Sequence, residues 1–283
     1  MLRRKRRRLL PPPPAADGAK SAETHEALDT IDDDVLDDGV VMNDTLAAIH
    51  LLLGRHHSGF AAIGLPSLVL WHQIYSIVPN RTVVDQSVYR MRNDGLLMTM
   101  RIALPGPPAT AILLTSDYIA FMLQYTVQHS ATRVFAKALP QLSKSLTISK
   151  NDIYDAIQLL FVSRKRPIPS TAVLEKSLTH LVQSGFLIAT TDLTAQLYSF
   201  SLPRLGLFIT SVARARVAIQ SILKRTQYKQ MPQVDLKKRK LTCSSLSMDF
   251  HLLDMEGVHL VKRLPSSQTF VVCLLNDDDG NDS

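Results

Sequence analysis

The chain has 283 residues, with 32 Lys and Arg against 25 Asp and Glu, a formal net charge of +7, and 46% hydrophobic and 20% charged residues. That is ordinary globular composition, enough for one large domain or two to three small ones, and it excludes a collagen-like chain. Two cysteines, Cys243 and Cys273, argue against a disulfide scaffold and suit a reducing compartment.

No stretch reads as a membrane span, and the basic start of the chain lacks the apolar core of a secretory signal. A membrane or secreted protein is therefore not expected. Residues 1–40 read as a solvated tail in two blocks. The first is Arg3, Arg4, Lys5, Arg6, Arg7 and Arg8, followed by prolines at 11–14. Such a run is a nuclear localisation signal or a nucleic-acid contact, with a plain solubility tail as the alternative. The second block holds ten acidic residues against one Lys between positions 17 and 44. Like charges at that density do not collapse into a core.

Beyond the tail, one pattern occurs three times: apolar residues at four- and three-residue spacing, then Gly, then an apolar residue. The first copy is Val84, Val88, Met91, Gly95, Leu96. Helices over 43–53 and 66–77 precede it, and apolar stretches at 96–102 and 111–114 follow it, separated by Pro105-Gly106-Pro107-Pro108. The second copy is Leu174, Leu178, Leu181, Gly185, Phe186, with helices over 131–139 and 151–161 before it. Its hairpin is predicted over 186–189 and 197–200, turning at Thr191-Asp192. The third copy is Leu246, Phe250, Leu253, Gly257, Val258, preceded by helices over 205–227 and 232–240. Its hairpin is predicted over 258–261 and 270–274, turning at Pro265-Ser266-Ser267.

The spacing places the apolar residues on one helix face, and the Gly supplies a left-handed helix stop. A Gly-terminated helix feeding a β-hairpin, with helices before it, is the pattern of a winged helix, in which that helix can enter a DNA major groove. The expected fold is α+β and helix-rich, with three tandem winged-helix domains. Their expected bounds are 41–130, 131–202 and 203–275, with acidic residues 276–283 as a second tail.

Charge placement then suggests a partner. Residues 201–240 carry ten basic residues against Asp235 alone, a segment charge of +9 that exceeds the chain total. These are Arg204, Arg214, Arg216, Lys224, Arg225, Lys229, Lys237, Lys238, Arg239 and Lys240. On the helix over 205–227, Leu205, Phe208, Ile209, Val212, Ile219 and Leu223 share one face. Arg204, Arg214, Arg225 and Lys229 fall within about 80° of each other on another. Almost no interleaved acidic residues are available to pair with them along the helix, so phosphate contact is favoured over a solvated face. The first domain's third helix carries Arg81, Arg90 and Arg92, with Arg101 on its wing. The turn into the second domain's third helix carries Arg164, Lys165 and Arg166, and the helix itself only Lys176. The third domain's equivalent is acidic. Mainly backbone-directed, sequence-tolerant binding to double-stranded DNA is expected, with RNA left open and the weaker helices available to protein partners. Trp71 is expected in the core.

Catalytic signatures are missing. The eleven glycines never form G-x-G-x-x-G, and Gly54, Gly59 and Gly64 are not followed by Gly-Lys-Ser/Thr. Val217-Ala218-Ile219 is followed by Gln220 where a kinase needs Lys, Asp249-Phe250 is followed by His251, and there is no His-Arg-Asp. His251, His259, Cys243 and Cys273 lack zinc-ligand spacing, and His56-His57 reads as loop. No enzyme activity, metal or cofactor is expected.

Several segments resemble one known family. Leu65-Pro66-Ser67-Leu68-Val69-Leu70, and Gln73-Ile74-Tyr75-Ser76-Ile77-Val78-Pro79-Asn80-Arg81-Thr82-Val83-Val84-Asp85, are similar to the serine/threonine-protein kinase 19 family. So are Leu114-Thr115-Ser116-Asp117-Tyr118, Leu178-Thr179-His180-Leu181-Val182-Gln183-Ser184-Gly185, and Tyr228 after Leu223-Lys224-Arg225. The likeness runs from about residue 45 to 275, outside the tails. The resemblance implies three tandem winged helices that bind DNA, without a kinase fold. It also implies a nuclear factor of transcription-coupled nucleotide excision repair, bridging RNA polymerase II-associated repair factors and the repair helicase complex; a monomer within a larger complex is expected. Two other readings stay open, a winged-helix scaffold that binds only proteins, and the kinase of the family's name.

Overall fold

The computed structural model describes residues 43–190, 196–266 and 269–275. The basic hexamer at 3–8, the acidic run before position 43, Thr191-Asp192, Ser267 and the acidic end at 276–283 lie outside the described residues.

One element order recurs three times. The first unit comprises α1 (Asp44–Ile63), β1 (Val69–Leu70), α2 (Trp71–Ile74), α3 (Arg81–Asn93), β2 (Leu97–Ile102) and β3 (Ala109–Leu114). A connecting helix, α4 (Thr115–Tyr125), leads to the second: α5 (Ser130–Leu142), β4 (Thr147–Ser149), α6 (Lys150–Ser163), α7 (Thr171–Gln183), β5 (Leu187–Ala189) and β6 (Leu197–Phe200). The third is α8 (Leu205–Lys224), β7 (Gln230–Pro232), α9 (Gln233–Lys238), α10 (Met248–Gly257), β8 (Val261–Pro265) and β9 (Phe270–Leu274). Each unit has a small antiparallel sheet in which the last strand lies centrally: β1-β3-β2, β4-β6-β5 and β7-β9-β8. Ile112 of β3, for example, faces Val69 on one side and Thr99 on the other. This is a helix-rich α+β fold of the winged-helix type.

The repeated apolar spacing does what its period predicts. Val84, Val88 and Met91 are the buried residues of α3, and Leu174, Leu178 and Leu181 are buried on α7. Asn80 caps α3 by accepting from the Val83 amide, and Ser247 caps α10 by accepting from the Phe250 amide. Gly95 (φ 75°) and Gly185 (φ 81°) take the left-handed conformation that stops their helices. The third copy differs. Gly257 is the last residue of α10, and His259 (φ 57°) adopts the left-handed turn instead. The strand that follows accordingly starts at Val261, three residues later than its apolar pattern indicates.

Other boundaries also depart from expectation. The stretch at 66–77 is a two-residue strand and a single helical turn. Helix α8 ends at Lys224, with Arg225 as its cap. It is long and apolar enough to cross a membrane, which the sequence reading did not anticipate. One face of it, with Leu205, Phe208, Val212, Ala215, Ile219 and Leu223, is buried in the core, while Leu207 and Val217 are exposed. Helix α4 has no counterpart in the predicted elements. It is buried at Tyr118, whose hydroxyl donates to the carbonyls of Phe186 and Ser201, both at 3.1 Å.

The units share a core rather than standing as beads. One apolar cluster joins Met98 and Met100 of β2, Tyr118 of α4, Phe135 of α5, Phe186, Phe208 of α8 and Phe250 of α10. Glycines mark the contacts. A Cβ on Gly95 would lie 2.7 Å from the Pro140 carbonyl oxygen of the second unit, and one on Gly185 would lie 3.5 Å from Pro203, ahead of the third. A Cβ on Gly257 would lie 2.5 Å from Cδ2 of His72 in the first unit.

His56, expected in a loop, is buried on α1 against the edge of Phe250, with Nδ1 3.1 Å from the Ser247 hydroxyl. His251 on α10 is equally buried, its Nε2 2.8 Å from the Ser244 hydroxyl. Burial lowers both pKa values from 6.5 to about 4, aided for His56 by the nearby Arg55 charge.

Two predictions follow from this packing. In Gly257→Ala, the better helix propensity of Ala, about 1 kcal/mol, is outweighed by overpacking against His72. Overpacking of about 1–3 kcal/mol less that gain leaves a net loss of up to about 2 kcal/mol in urea unfolding. Separately, both buried rings remain neutral in the folded chain down to about pH 4 but take up protons near 6.5 when unfolded. Stability is therefore complete above 6.5 and falls as the pH drops toward 4, by up to about 3 kcal/mol per ring. Urea midpoints across this range should decline less steeply in His56→Gln.

Candidate nucleic-acid interface

In a winged helix the third helix is the groove-entering element, a position that α3, α7 and α10 occupy here. Helix α10 is closed to that role. Met248, Phe250, His251, Leu252, Leu253, Asp254 and Met255 are all buried, because α10 packs against the first unit as well as its own sheet. Gln73 donates to the Phe250 carbonyl at 3.0 Å, and Ser76 donates to Glu256 at 3.4 Å.

The centre of this contact is a fully buried carboxylate. Arg216 donates through Nε to Asp254 Oδ2 and through Nη2 to Oδ1, both at 2.7 Å. His72 Nε2 approaches Oδ1 at 3.0 Å. The third guanidinium nitrogen donates to the Pro105 carbonyl, in the first unit's hairpin turn, at 2.8 Å. Burial alone would raise the Asp254 pKa, but the hydrogen bonds and charges of Arg216 and His72 hold it below the usual carboxylate range.

Arg216 is thereby removed from the expected phosphate-contacting set. It is 4% exposed and committed to Asp254. Helical periodicity does not place it with Arg214, and no charge count reveals that its partner lies 38 residues downstream.

The remaining basic residues of the third unit are exposed, but not equally available. Lys237 pairs with Asp249 at 2.7 Å and Lys238 with Asp235 at 2.8 Å. Arg214, Lys224, Arg225, Arg239 and Lys240 are exposed with no ion pair among the described residues. Arg214 and Arg225 are eleven residues apart, so they align on α8 with a separation of about 16 Å. Arg204 is the exposed, left-handed N-cap of α8, and Lys229 lies in the turn after it, outside the helix. The sequence reading missed Lys262, exposed on β8; its signal is the Lys262-Arg263 pair inside the hairpin.

On the first unit, Arg81 and Arg90 are exposed on α3 and Arg92 is half-buried. Arg81 lies 5.3 Å above the Tyr75 ring and Arg92 5.2 Å above Tyr89. Asp85 on the same helix accepts from Trp71 Nε1 at 2.8 Å and from the Tyr75 hydroxyl at 2.6 Å. Burial, with the Asp85 bond, raises the Tyr75 pKa to about 12. Trp71 is half-buried rather than fully in the core. On the second unit, Arg164 caps α6, Lys165 is exposed and left-handed (φ 53°), and Arg166 is half-buried. These cations are thus distributed over helices, caps and turns of all three units, not on a single helix.

The fragments that superficially resemble kinase motifs are helical: Val217-Ala218-Ile219 lies within α8 and Asp249-Phe250 within α10. Among the described residues there is no group of three or more His, Cys, Asp or Glu able to hold a metal, and Cys243 and Cys273 are unpaired thiols.

Three-stranded hairpin sheets behind helix triplets, with solvent-facing Arg and Lys, define a winged-helix type protein. The family model described as inactive serine-threonine protein kinase 19 matches residues 59–265, and this chain belongs to that family. Relatives named Winged helix repair factor 1 include those of Xenopus laevis and Homo sapiens. The former is 28% identical over 204 residues, covering 72% of this chain and 73% of the relative. The human protein is 25% identical over 216 residues, covering 76% and 79%. The Dictyostelium discoideum protein of the same name is 35% identical over 94 residues, 33% of this chain and 23% of the relative.

Asp254→Asn leaves the buried Arg216 guanidinium without its counter-charge and should cost about 3–5 kcal/mol by urea denaturation. Combining it with Arg216→Met should recover part of that loss, because no unpaired charge then remains buried.

Proposed function

We propose that this chain is a nuclear, non-enzymatic DNA-binding repair factor. It holds the phosphate backbone of double-stranded DNA without strong sequence preference. In this reading it consists of three winged-helix domains at 41–130, 131–202 and 203–275, with the basic hexamer at 3–8 directing it to the nucleus. The observation that carries the proposal is the set of exposed cations with no ion pair among the described residues, Arg214, Lys224, Arg225, Arg239 and Lys240, on and after α8. Charges left unneutralised by the protein are the ones that can displace counterions from a duplex. Arg81 and Arg90 on α3, and Lys165 with Arg166 before α7, extend the contact. Because α10 is buried, the third unit uses its first helix and the segments after it, not its third helix.

The names of the relatives support a role in DNA repair. Within that role we place the chain in transcription-coupled nucleotide excision repair, as a monomer bridging the stalled RNA polymerase II assembly and the repair helicase complex. The family description as an inactive kinase supports the non-enzymatic reading.

Fluorescence anisotropy with duplexes of unrelated sequence tests the backbone reading. Affinity should fall with salt by about 0.9 log units per log unit of salt for each phosphate neutralised. Arg214→Glu with Arg225→Glu should weaken all duplexes alike and reduce that slope by about 2. Unchanged binding by the double variant would sink the assignment to α8.

A further inference from the structure

Four aromatic side chains stand largely in solvent: Tyr89 (57% exposed), Tyr125 (44%), Tyr228 (72%) and Phe270 (46%). Three of them have ring faces already in use. Arg92 lies 5.2 Å over Tyr89, and Arg263 lies 5.7 Å over Phe270. Tyr125 packs against Phe121 and Phe186, each at 5.8 Å. Tyr228, the most exposed, has no ring or cation contact among the described residues.

The turn that carries it is hydrogen-bonded on either side of it. The turn after α8 is closed by Thr226, whose hydroxyl donates to the Leu223 carbonyl at 2.6 Å, and by the Lys229 amide, which donates to the Thr226 carbonyl at 3.2 Å. The Leu274 amide donates to the Lys229 carbonyl at 2.9 Å and ties the turn to β9. In the chain, Tyr228 lies between exposed Lys224 and Arg225, at the end of α8, and exposed Lys229.

An open aromatic face flanked by cations matches one ligand chemistry, an unpaired base still attached to its phosphates. The base stacks while the phosphates meet the cations. A base inside a duplex has its faces covered by its neighbours and offers the ring nothing. We propose that Tyr228 is a stacking platform for an unpaired base, placed where a duplex lying along α8 gives way to single strand. The preferred substrate class is then a duplex-to-single-strand junction rather than uninterrupted duplex. This rests on the backbone-binding role of α8 argued above.

The test uses the full chain and two DNAs in anisotropy titrations. One is an uninterrupted duplex. The other is the same duplex with an unpaired arm of about eight nucleotides, carrying 2-aminopurine at the first unpaired position. The junction should bind at least fivefold tighter, the low end for one base–aromatic stack, and its fluorescence should be quenched on binding. Tyr228→Ala should abolish both the preference and the quench while binding the uninterrupted duplex as before; Tyr228→Trp should retain both. Equal, saturable binding of the two DNAs, or preference and quench that persist in Tyr228→Ala, overturns the stacking role alone. No saturable binding of either DNA overturns both this inference and the backbone reading.

Discussion

The arrangement of this molecule depends on one buried charge. Taking a carboxylate out of water costs several kcal/mol, and only complete hydrogen bonding with an opposite charge offsets that cost. Asp254 meets the condition with both oxygens, against Arg216 of α8 and His72 of α2. Because α2 belongs to the first unit and α8 and α10 to the third, the charge is fully satisfied only when the two units are docked. The same guanidinium anchors the Pro105 turn of the first hairpin. Together with the shared apolar core, this junction sets how the first and third units meet.

Docking also redistributes roles among equivalent elements. A third helix is free to read a groove only if its outer face is wet, and α10 has given that face to the first unit. Its acidic residues fit the change: Asp254 neutralises Arg216, Asp249 pairs with Lys237, and Glu256 accepts from Arg263 at 2.7 Å. What would repel phosphate on an exposed helix serves instead to pair cations of its own unit. The basic surplus is left on α8 and the segments after it.

Much of this was legible in the sequence because it is local. The four- and three-residue apolar spacing located the buried faces of α3 and α7, and Gly95 and Gly185 marked their ends. Strands β1, β4 and β7, two or three residues long, fall below what periodicity can register. Features set by contacts distant in the chain were not legible either. Arg216 looks in sequence like any other Arg in a basic segment, and His56 like half of a loop dipeptide, until α10 is laid across α1. Gly257 fits the helix-stop spacing, yet the reason for Gly there is the imidazole of His72. Among the candidate site residues, charge blocks identified the segment; that Arg216 and Lys237 are spent on carboxylates was decided by Asp254 and Asp249, outside that segment.

The three glycines carry a consequence for the molecule as a whole. Each sits where the backbone of one repeat approaches another part of the chain too closely, or in too strained a conformation, for most side chains. In a solenoid, a repeat can be added or lost because it needs only a generic neighbour. Here each repeat is shaped to one particular neighbour, and excising the third would strip Phe250 from the shared core and remove the anchor of the Pro105 turn. A change in one repeat is therefore felt in the packing of the next.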